Sequence, residues 1–205
     1  MNNCQTEEER ERTEVLIRPI LRGRDIKRYG YVDNGLYLIN THNGIKGKLE
    51  RIHIEEYPAV KAHLDQFKHK LEERSDKGDT PYNLRNCAYM EEFLQPRIVY
   101  REIGEVMDAC IVPSGVMINN KLYMISGEHL EHLLHYFNSN LFNRIIFTKA
   151  NLTGGKGIEF METIRVPLPS VCDLSICNRK DVDNTLYSFY GLNRKEIEYI
   201  ANGDD

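Results

Sequence analysis

Between Ile17 and Tyr29 the chain sets five cations, Arg18, Arg22, Arg24, Lys27 and Arg28, against a single carboxylate, Asp25. Apolar residues alternate with them: Ile17, Ile20, Leu21, Ile26 and Tyr29. The apolar side chains can anchor the segment while the cations face outward. Gripping a phosphate backbone needs that arrangement, with arginine able to bind two oxygens at once. Arginine also reads guanine O6 and N7 in the major groove. The competing reading is a charged edge strand that discourages aggregation, and an Arg24–Asp25 ion pair would remove one cation from the set. Further basic candidates are Lys46 and Lys48 in a glycine-bearing loop, Arg85 beside Tyr82, Arg97 with Arg101, and Lys149 with Lys156.

Other groupings carry less chemistry. The sequence has no G-x-G-x-x-G, Walker loop, G-x-S-x-G elbow or H-E-x-x-H. Gly154-Gly155-Lys156-Gly157 offers backbone N–H groups to a phosphate but lacks the strand–loop–helix order of a nucleotide fold, which favours a surface loop. His129, His132 and His135 are three apart, so they drift around a helix; solvent-facing and boundary positions explain them more cheaply than a metal. Glu55-Glu56 and Glu91-Glu92 are adjacent pairs that point apart on a helix and make no acid/base dyad. The expectation is a chain that is not an enzyme, with no metal and no cofactor of its own.

Composition agrees with a folded chain: 205 residues, 41% hydrophobic and 28% charged, suited to one domain or one domain with an appendage. The 14 glycines and 7 prolines exclude collagen-like and disordered classes. No apolar run approaches the roughly 18 residues of a membrane span, and the polar, acidic N-terminus does not read as a signal peptide. Five scattered cysteines without a C-x-x-C pair point to reduced thiols in a cytoplasmic protein. The net charge of −4 argues against nucleic acid only until its distribution is seen. From Gly157 to Asp205 nine acids face five bases, so the tail accounts for the whole negative balance.

The elements that must position these groups follow from periodicity. Residues 2–14 lack apolar repeats and read as a frayed arm or a helix end. Val15–Leu21 and Leu36–Asn40 read as strands around a turn at Asp33-Asn34-Gly35. A helix opens at Tyr57-Pro58 and runs to about Ser75 on the stripe Val60, Leu64, Phe67 and Leu71. Strands are expected at Arg97–Tyr100 and Cys110–Val112, with a hairpin over Met117–Ile125 turning at Asn119-Asn120. Ser126 reads as the cap of a second long helix with Leu130, Leu133, Leu134, Phe137 and Leu141 on one face. A strand is expected to end at Val166–Pro169, after the glycine-rich loop. In the tail Gly191 reads as a C-terminal cap, and Asn193 with Glu196 as a capping box. The class is α+β: a mixed sheet, two long amphipathic helices and a short C-terminal helical tail.

In that order the segments resemble a known family. Arg18-Pro19-Ile20-Leu21-Arg22-Gly23-Arg24-Asp25-Ile26 with Tyr29 is similar to the opening of the TaqI-like C-terminal specificity domain. So are Tyr57-Pro58-Ala59-Val60 through His63-Leu64 to Leu71-Glu72-Glu73-Arg74, then Tyr82-Asn83-Leu84-Arg85 and Pro96-Arg97-Ile98-Val99. The segment before Tyr123, Leu133-Leu134 to Phe137-Asn138-Ser139, and Leu186–Leu192 with Glu196-Ile197 extend the likeness from Val15 to Ile200. Two departures stand out: the chain has no tryptophan, and Arg97 occupies a position where relatives often carry lysine.

The resemblance implies the target recognition part of adenine-specific DNA methyltransferases and type IIG restriction–modification enzymes. There a separate N-terminal domain binds S-adenosylmethionine and carries Asn-Pro-Pro-Tyr, a motif this sequence lacks. The partners implied are double-stranded DNA and an N-terminal methyltransferase domain, on the same or a companion chain; no membrane is implied. The expected organisation is a flexible arm over 1–14, a DNA-binding domain over 15–169 and a helical tail over 170–205. The expected DNA-binding residues are Arg18, Arg22, Arg24, Lys27, Arg28, Lys46, Lys48, Arg85, Arg97 and Lys156, with base edges read by loops such as Thr41–Lys48 and Leu152–Gly157. Three alternatives stand beside it: a protein-interaction module that orients a partner without touching DNA, half of a type I specificity subunit, and an undetected hydrolase.

Overall fold

Thr6 starts the first helix: its side-chain oxygen accepts the Glu9 backbone N–H at 3.1 Å. Three glutamates fill the first turn, where carboxylates suit the positive end of the helix dipole. This helix, α1 (Glu7–Leu16), stands where the sequence suggested a frayed arm or a helix end, and it takes Val15 and Leu16 from the expected first strand. Its anchor is tertiary. The buried carboxylate of Glu9 accepts the backbone N–H groups of Gln5 and Ala59, each at 2.8 Å, which hold it below the usual carboxylate range.

The computed structural model describes residues 3–149, 157–160 and 178–202. After α1 come β1 (Ile17–Leu21), a 3₁₀ turn at Gly23–Asp25, β2 (Ile26–Lys27), β3 (Gly30–Tyr31) and β4 (Tyr37–Ile39). Next are a 3₁₀ turn at Ile54–Glu56, α2 (Pro58–Asp65), α3 (Lys68–Glu73) and a third 3₁₀ turn at Met90–Leu94. Five strands follow: β5 (Arg97–Arg101), β6 (Ile103–Gly104), β7 (Ala109–Val112), β8 (Met117–Ile118) and β9 (Leu122–Ile125). Then come α4 (Leu130–Phe137), α5 (Asn140–Lys149), β10 (Ile158–Glu159), α6 (Val182–Phe189) and α7 (Arg194–Asn202). The class is α+β, with the strands gathered in several small sheets rather than one. Among the described residues no helix is long and apolar enough to cross a membrane.

The chain divides into two interleaved units, one of Met1–Ile20, Gly35–Leu94 and Gly115–Met117, the other of Leu21–Asn34, Gln95–Ser114 and Ile118–Asp205. The packing groups α6 and α7 with the second unit, and it parts the basic segment at Ile20–Leu21.

In the first unit β1 pairs antiparallel with β4, Ile17 opposite Ile39 and Pro19 opposite Tyr37. Leu16, Ile54, Val60 and Phe93 are buried. Asn83, 1% exposed, stitches the loops together: its amide donates to the carbonyls of Ile52 at 2.9 Å and His42 at 3.2 Å. A buried amide persists only with such partners.

In the second unit β5 lies between β7 and β9, with Val99 opposite Cys110 on one side and Met124 on the other. Alternation puts Ile98 and Tyr100 in a core with Ala109, Leu134, Tyr136, Phe137, Phe142, Ile146, Val182 and Leu186. The Phe142 ring stands 5.0 Å from both Tyr136 and Phe137, within the range of favourable aromatic pairing. Asn138 clamps α4 to β7, its oxygen accepting the Ala109 N–H at 3.0 Å and its nitrogen donating to the Ala109 carbonyl at 2.9 Å.

Both long helices expected from the sequence are broken. The first splits at Phe67, whose ψ of 11° leaves the helical range. The stripe is unevenly covered, Val60 buried but Phe67 exposed. The second begins at Leu130 behind a left-handed His129 rather than at a Ser126 cap, and it ends at Phe137. Ser139, inside the same leucine stripe, then caps α5: its hydroxyl oxygen accepts the Phe142 N–H at 3.0 Å while donating to the Tyr136 carbonyl at 2.6 Å. Apolar period alone runs through such a cap, so Leu141 belongs to the next helix. The expected 117–125 hairpin does not form either, because β8 joins β1 and β9 joins β5. The caps in the tail stand as expected. Gly191 has a φ of +64°, and Asn193 and Glu196 exchange hydrogen bonds at 2.8 and 3.2 Å. The glycine loop up to Lys156 and the strand ending at Pro169 lie outside the described residues.

Candidate nucleic-acid interface

The basic segment of the second unit turns on Asp25. The 3₁₀ turn tucks this carboxylate inward, 2% exposed, where it accepts the Arg22 backbone N–H at 2.8 Å and Arg22 Nε at 3.1 Å. Arg22 Nη2 and the Asn34 amide reach its other oxygen at 3.2 and 2.9 Å. These donors, the Arg22 side chain first, hold the carboxyl below its ordinary range against the opposing effect of burial. The ion pair therefore forms, but with Arg22 and not Arg24. Arg22 is a structural cation whose charge is already met.

Arg24 and Lys27 are exposed, and among the described residues neither has an ion pair. Arg28, also exposed, lies with its guanidinium carbon 5.7 Å from the Tyr29 ring centre. Tyr29 is held at φ 64°, a left-handed conformation that costs a non-glycine residue about 1 kcal/mol or more. Its backbone N–H donates to the Ala109 carbonyl at 2.9 Å, and its hydroxyl lies 3.3 Å from His135 Nδ1. Burial pushes the Tyr29 phenol up and the His135 imidazole down. A second guanidinium, that of Arg179, approaches the same ring at 4.8 Å. Two cations thus converge on one aromatic ring set in a fixed, strained mount. No local pattern marks Arg179, which lies far along the chain within an acidic tail.

The other expected contacts scatter. Arg97 is fully enclosed in β5, 0% exposed, with Nη1 donating to the Gln95 carbonyl at 3.1 Å. As placed it cannot meet a phosphate, and the expectation is corrected on that ground: the segment is a central strand, so the side chain points into packed structure. Arg101 pairs with Asp108. Lys149 is exposed at the end of α5, and Lys156 lies outside the described residues. Among the histidines, His135 is buried rather than at the boundary, and no metal-binding group occurs among the described residues.

Arg18, Lys46, Lys48 and Arg85 belong to the first unit. Arg18 is half-buried on β1, while Lys46, Lys48 and Arg85 are exposed. Lys48 stands 3.8 Å from Glu91, both side chains well exposed, a pairing worth little in water. Lys46 and Lys48 line an open hollow of about 920 Å³ formed by residues 43–51 with His53, Asp79 and Asn86–Ala88. Gly44 makes the loop possible. It has φ +74°, and a Cβ there would lie 2.4 Å from the Leu49 carbonyl oxygen. Arg51, Asn43 and Asn86 also line the hollow. The polar, turn-rich stretch that carries Lys46 and Lys48 runs three residues further, to Arg51.

Compared with known proteins, the chain matches the family model described as the TaqI-like C-terminal specificity domain over residues 18–166. No curated protein matches it.

Proposed function

Because this chain belongs to the family of TaqI-like C-terminal specificity domains, we propose that it is the DNA sequence-recognition module of a restriction–modification or adenine-N6 DNA methyltransferase enzyme. The supporting observation is the cluster of exposed cations in the second unit: Arg24 and Lys27 without ion pairs among the described residues, and Arg28 and Arg179 set on Tyr29. Guanidinium groups without an ion pair among the described residues and held against an aromatic ring keep their N–H donors for phosphate oxygens. In this reading they hold the duplex backbone and fix register, while the polar hollow of the first unit reads base edges. A methyltransferase domain, in the same or a companion chain, receives the flipped adenine.

S-Adenosylmethionine belongs to that domain rather than to this chain. A second reading, an interaction module that orients a partner domain without touching DNA, is favoured by the exposed aromatic side chains Phe147, Phe189, Tyr190 and Tyr199 on α5, α6 and the last helix.

Equilibrium binding to a mixed-sequence duplex over a series of salt concentrations tests the first reading. The expected dissociation constant lies at about 10⁻⁴ to 10⁻⁶ M, weakening with salt by a log–log slope of about −0.9 per phosphate contacted. Failure to bind any duplex even at low salt overturns it and favours the second.

A further inference from the structure

Four side chains in the hollow of the first unit form a chain of hydrogen bonds with a fixed direction. Arg51 Nη1 donates to Asp79 Oδ2 at 3.2 Å. Asn43 Nδ2 donates to Asp79 Oδ1 at 3.0 Å, and Asn43 Oδ1 accepts the Asp79 backbone N–H at 2.9 Å. The same Asn43 nitrogen donates to Asn86 Oδ1 at 2.6 Å.

The two ends of an asparagine amide look alike, and only their partners tell them apart. Here the partners leave no choice. A backbone N–H can only donate, so the Asn43 atom facing Asp79 N is oxygen. An ionised carboxylate can only accept, so the Asn43 atom facing Asp79 Oδ1 is nitrogen. That nitrogen must then meet an acceptor on Asn86, which is its oxygen. The polarity of Asn86 is thus set through Asn43 by the Asp79 carboxylate, which Arg51 neutralises. The Asn86 oxygen is engaged within the protein; its amino group is not taken by any group among the described residues. Asn86 is exposed and lines the hollow.

We propose that Asn86 is a base-reading side chain and that Asn43 and Asp79 are the positioning residues that decide which half of its amide is presented. The inference rests on the DNA-binding reading above and names what the hollow selects. An asparagine reads adenine with both halves, accepting from N6 and donating to N7. With its oxygen held by Asn43, Asn86 offers a donor alone: it can meet guanine O6 or N7, thymine O4 or adenine N7, and it rejects cytosine, whose amino group only donates. Lys46 and Lys48 at the same hollow supply the positive surroundings in which the duplex approaches.

The full chain is incubated with a library of duplexes randomised over a central window, and the bound fraction is enriched and sequenced. The wild type is expected to disfavour cytosine at one position by roughly five- to tenfold, the worth of one hydrogen bond. Asn86→Asp keeps an oxygen for Asn43 but replaces the free donor by an acceptor. Its preference at that position is expected to shift to cytosine or adenine, whose amino groups donate. Asn43→Ala unlocks the polarity and is expected to broaden the preference at the same position. Thermal melting of each variant checks that it remains folded, and Asn86→Ala supplies a further variant should either fail. A folded Asn86 variant that enriches the wild-type sequences overturns the proposal. A wild type that binds every duplex equally also overturns it, while leaving phosphate-based DNA binding in place. A wild type that binds no duplex removes the DNA-binding reading itself, and this inference with it.

Discussion

Arg22 and Asp25 hold each other through both backbone and side chain: the Arg22 N–H and Nε meet one carboxylate oxygen at 2.8 and 3.1 Å. The contact closes the 3₁₀ turn from which Arg24 projects. It also separates two jobs within one basic run, because the arginine that shapes the turn is not available to a ligand.

Asp25→Ala is expected to destabilise the fold by about 2–3 kcal/mol, since it strands the donors that surround a buried carboxylate. Urea denaturation measures it. The pH dependence has a definite sign. Asp25 is held below its ordinary value of 3.8, so as pH falls the unfolded chain takes up the proton first. The stabilisation is complete above that value and is lost as pH drops through the lower, folded-state pKa. Asp25→Asn should flatten this acid limb; an identical limb in the variant would assign acid unfolding to other groups.

The cations differ in what their loss does to salt dependence. Arg24→Ala, Lys27→Ala, Arg28→Ala and Arg179→Ala should each reduce the slope of log affinity against log salt by about 0.9. Arg97→Ala should leave the slope unchanged while lowering the melting temperature, because this side chain is enclosed. Arg22→Ala should do the same. Fluorescence anisotropy of a labelled duplex across salt concentrations reads all six; a slope that survives loss of the first four would exclude this cluster as the contact.

Gly44→Ala places a Cβ 2.4 Å from one carbonyl oxygen and 2.7 Å from the Arg51 backbone nitrogen, at a φ of +74°. The loop must move, at a cost of at least about 2 kcal/mol. Gly47, with φ +78° but nothing within 4 Å of its would-be Cβ, should be the milder of the two. Differential scanning calorimetry of the pair distinguishes close approach from backbone conformation alone.

Asn138→Ala removes a buried amide that bonds both polar groups of Ala109 and the Leu134 carbonyl. A loss of about 3 kcal/mol is expected. Asn138→Asp should be worse, since it sets oxygen against two carbonyl oxygens. Wild-type stability in both variants would show that the clamp between α4 and β7 carries no weight.

Burial pushes the Cys110 thiol up to about 12, so the reactive thiolate is nearly absent near neutrality. Alkylation of the native protein followed by peptide mass mapping should leave Cys110 unmodified while the half-buried Cys4 and Cys87 react. Cys110 should label only on unfolding.

The sequence by itself determined what neighbouring residues decide among themselves. The Asn193–Glu196 capping box, the Gly191 helix end and the proline at the start of α2 were all legible. So were β5 and β7, the α+β class and the place of the basic run. Each depends on local dihedral preference or on side chains within one turn of each other. Tertiary structure decided the rest. Glu9 turned an apparent arm into an anchored helix by reaching Ala59, and Ser139 cut a leucine stripe that periodicity reads as continuous. Asp25 chose the arginine three residues before it over the adjacent one because a 3₁₀ turn brings the former within reach. Enclosure hid Arg97 inside the fold, while folding brought Arg179 to Tyr29 and set Asn43 between Asp79 and Asn86. Burial and pairing are settled by groups distant in sequence, and no local pattern of charge records which cation will find a carboxylate and which will be left facing water.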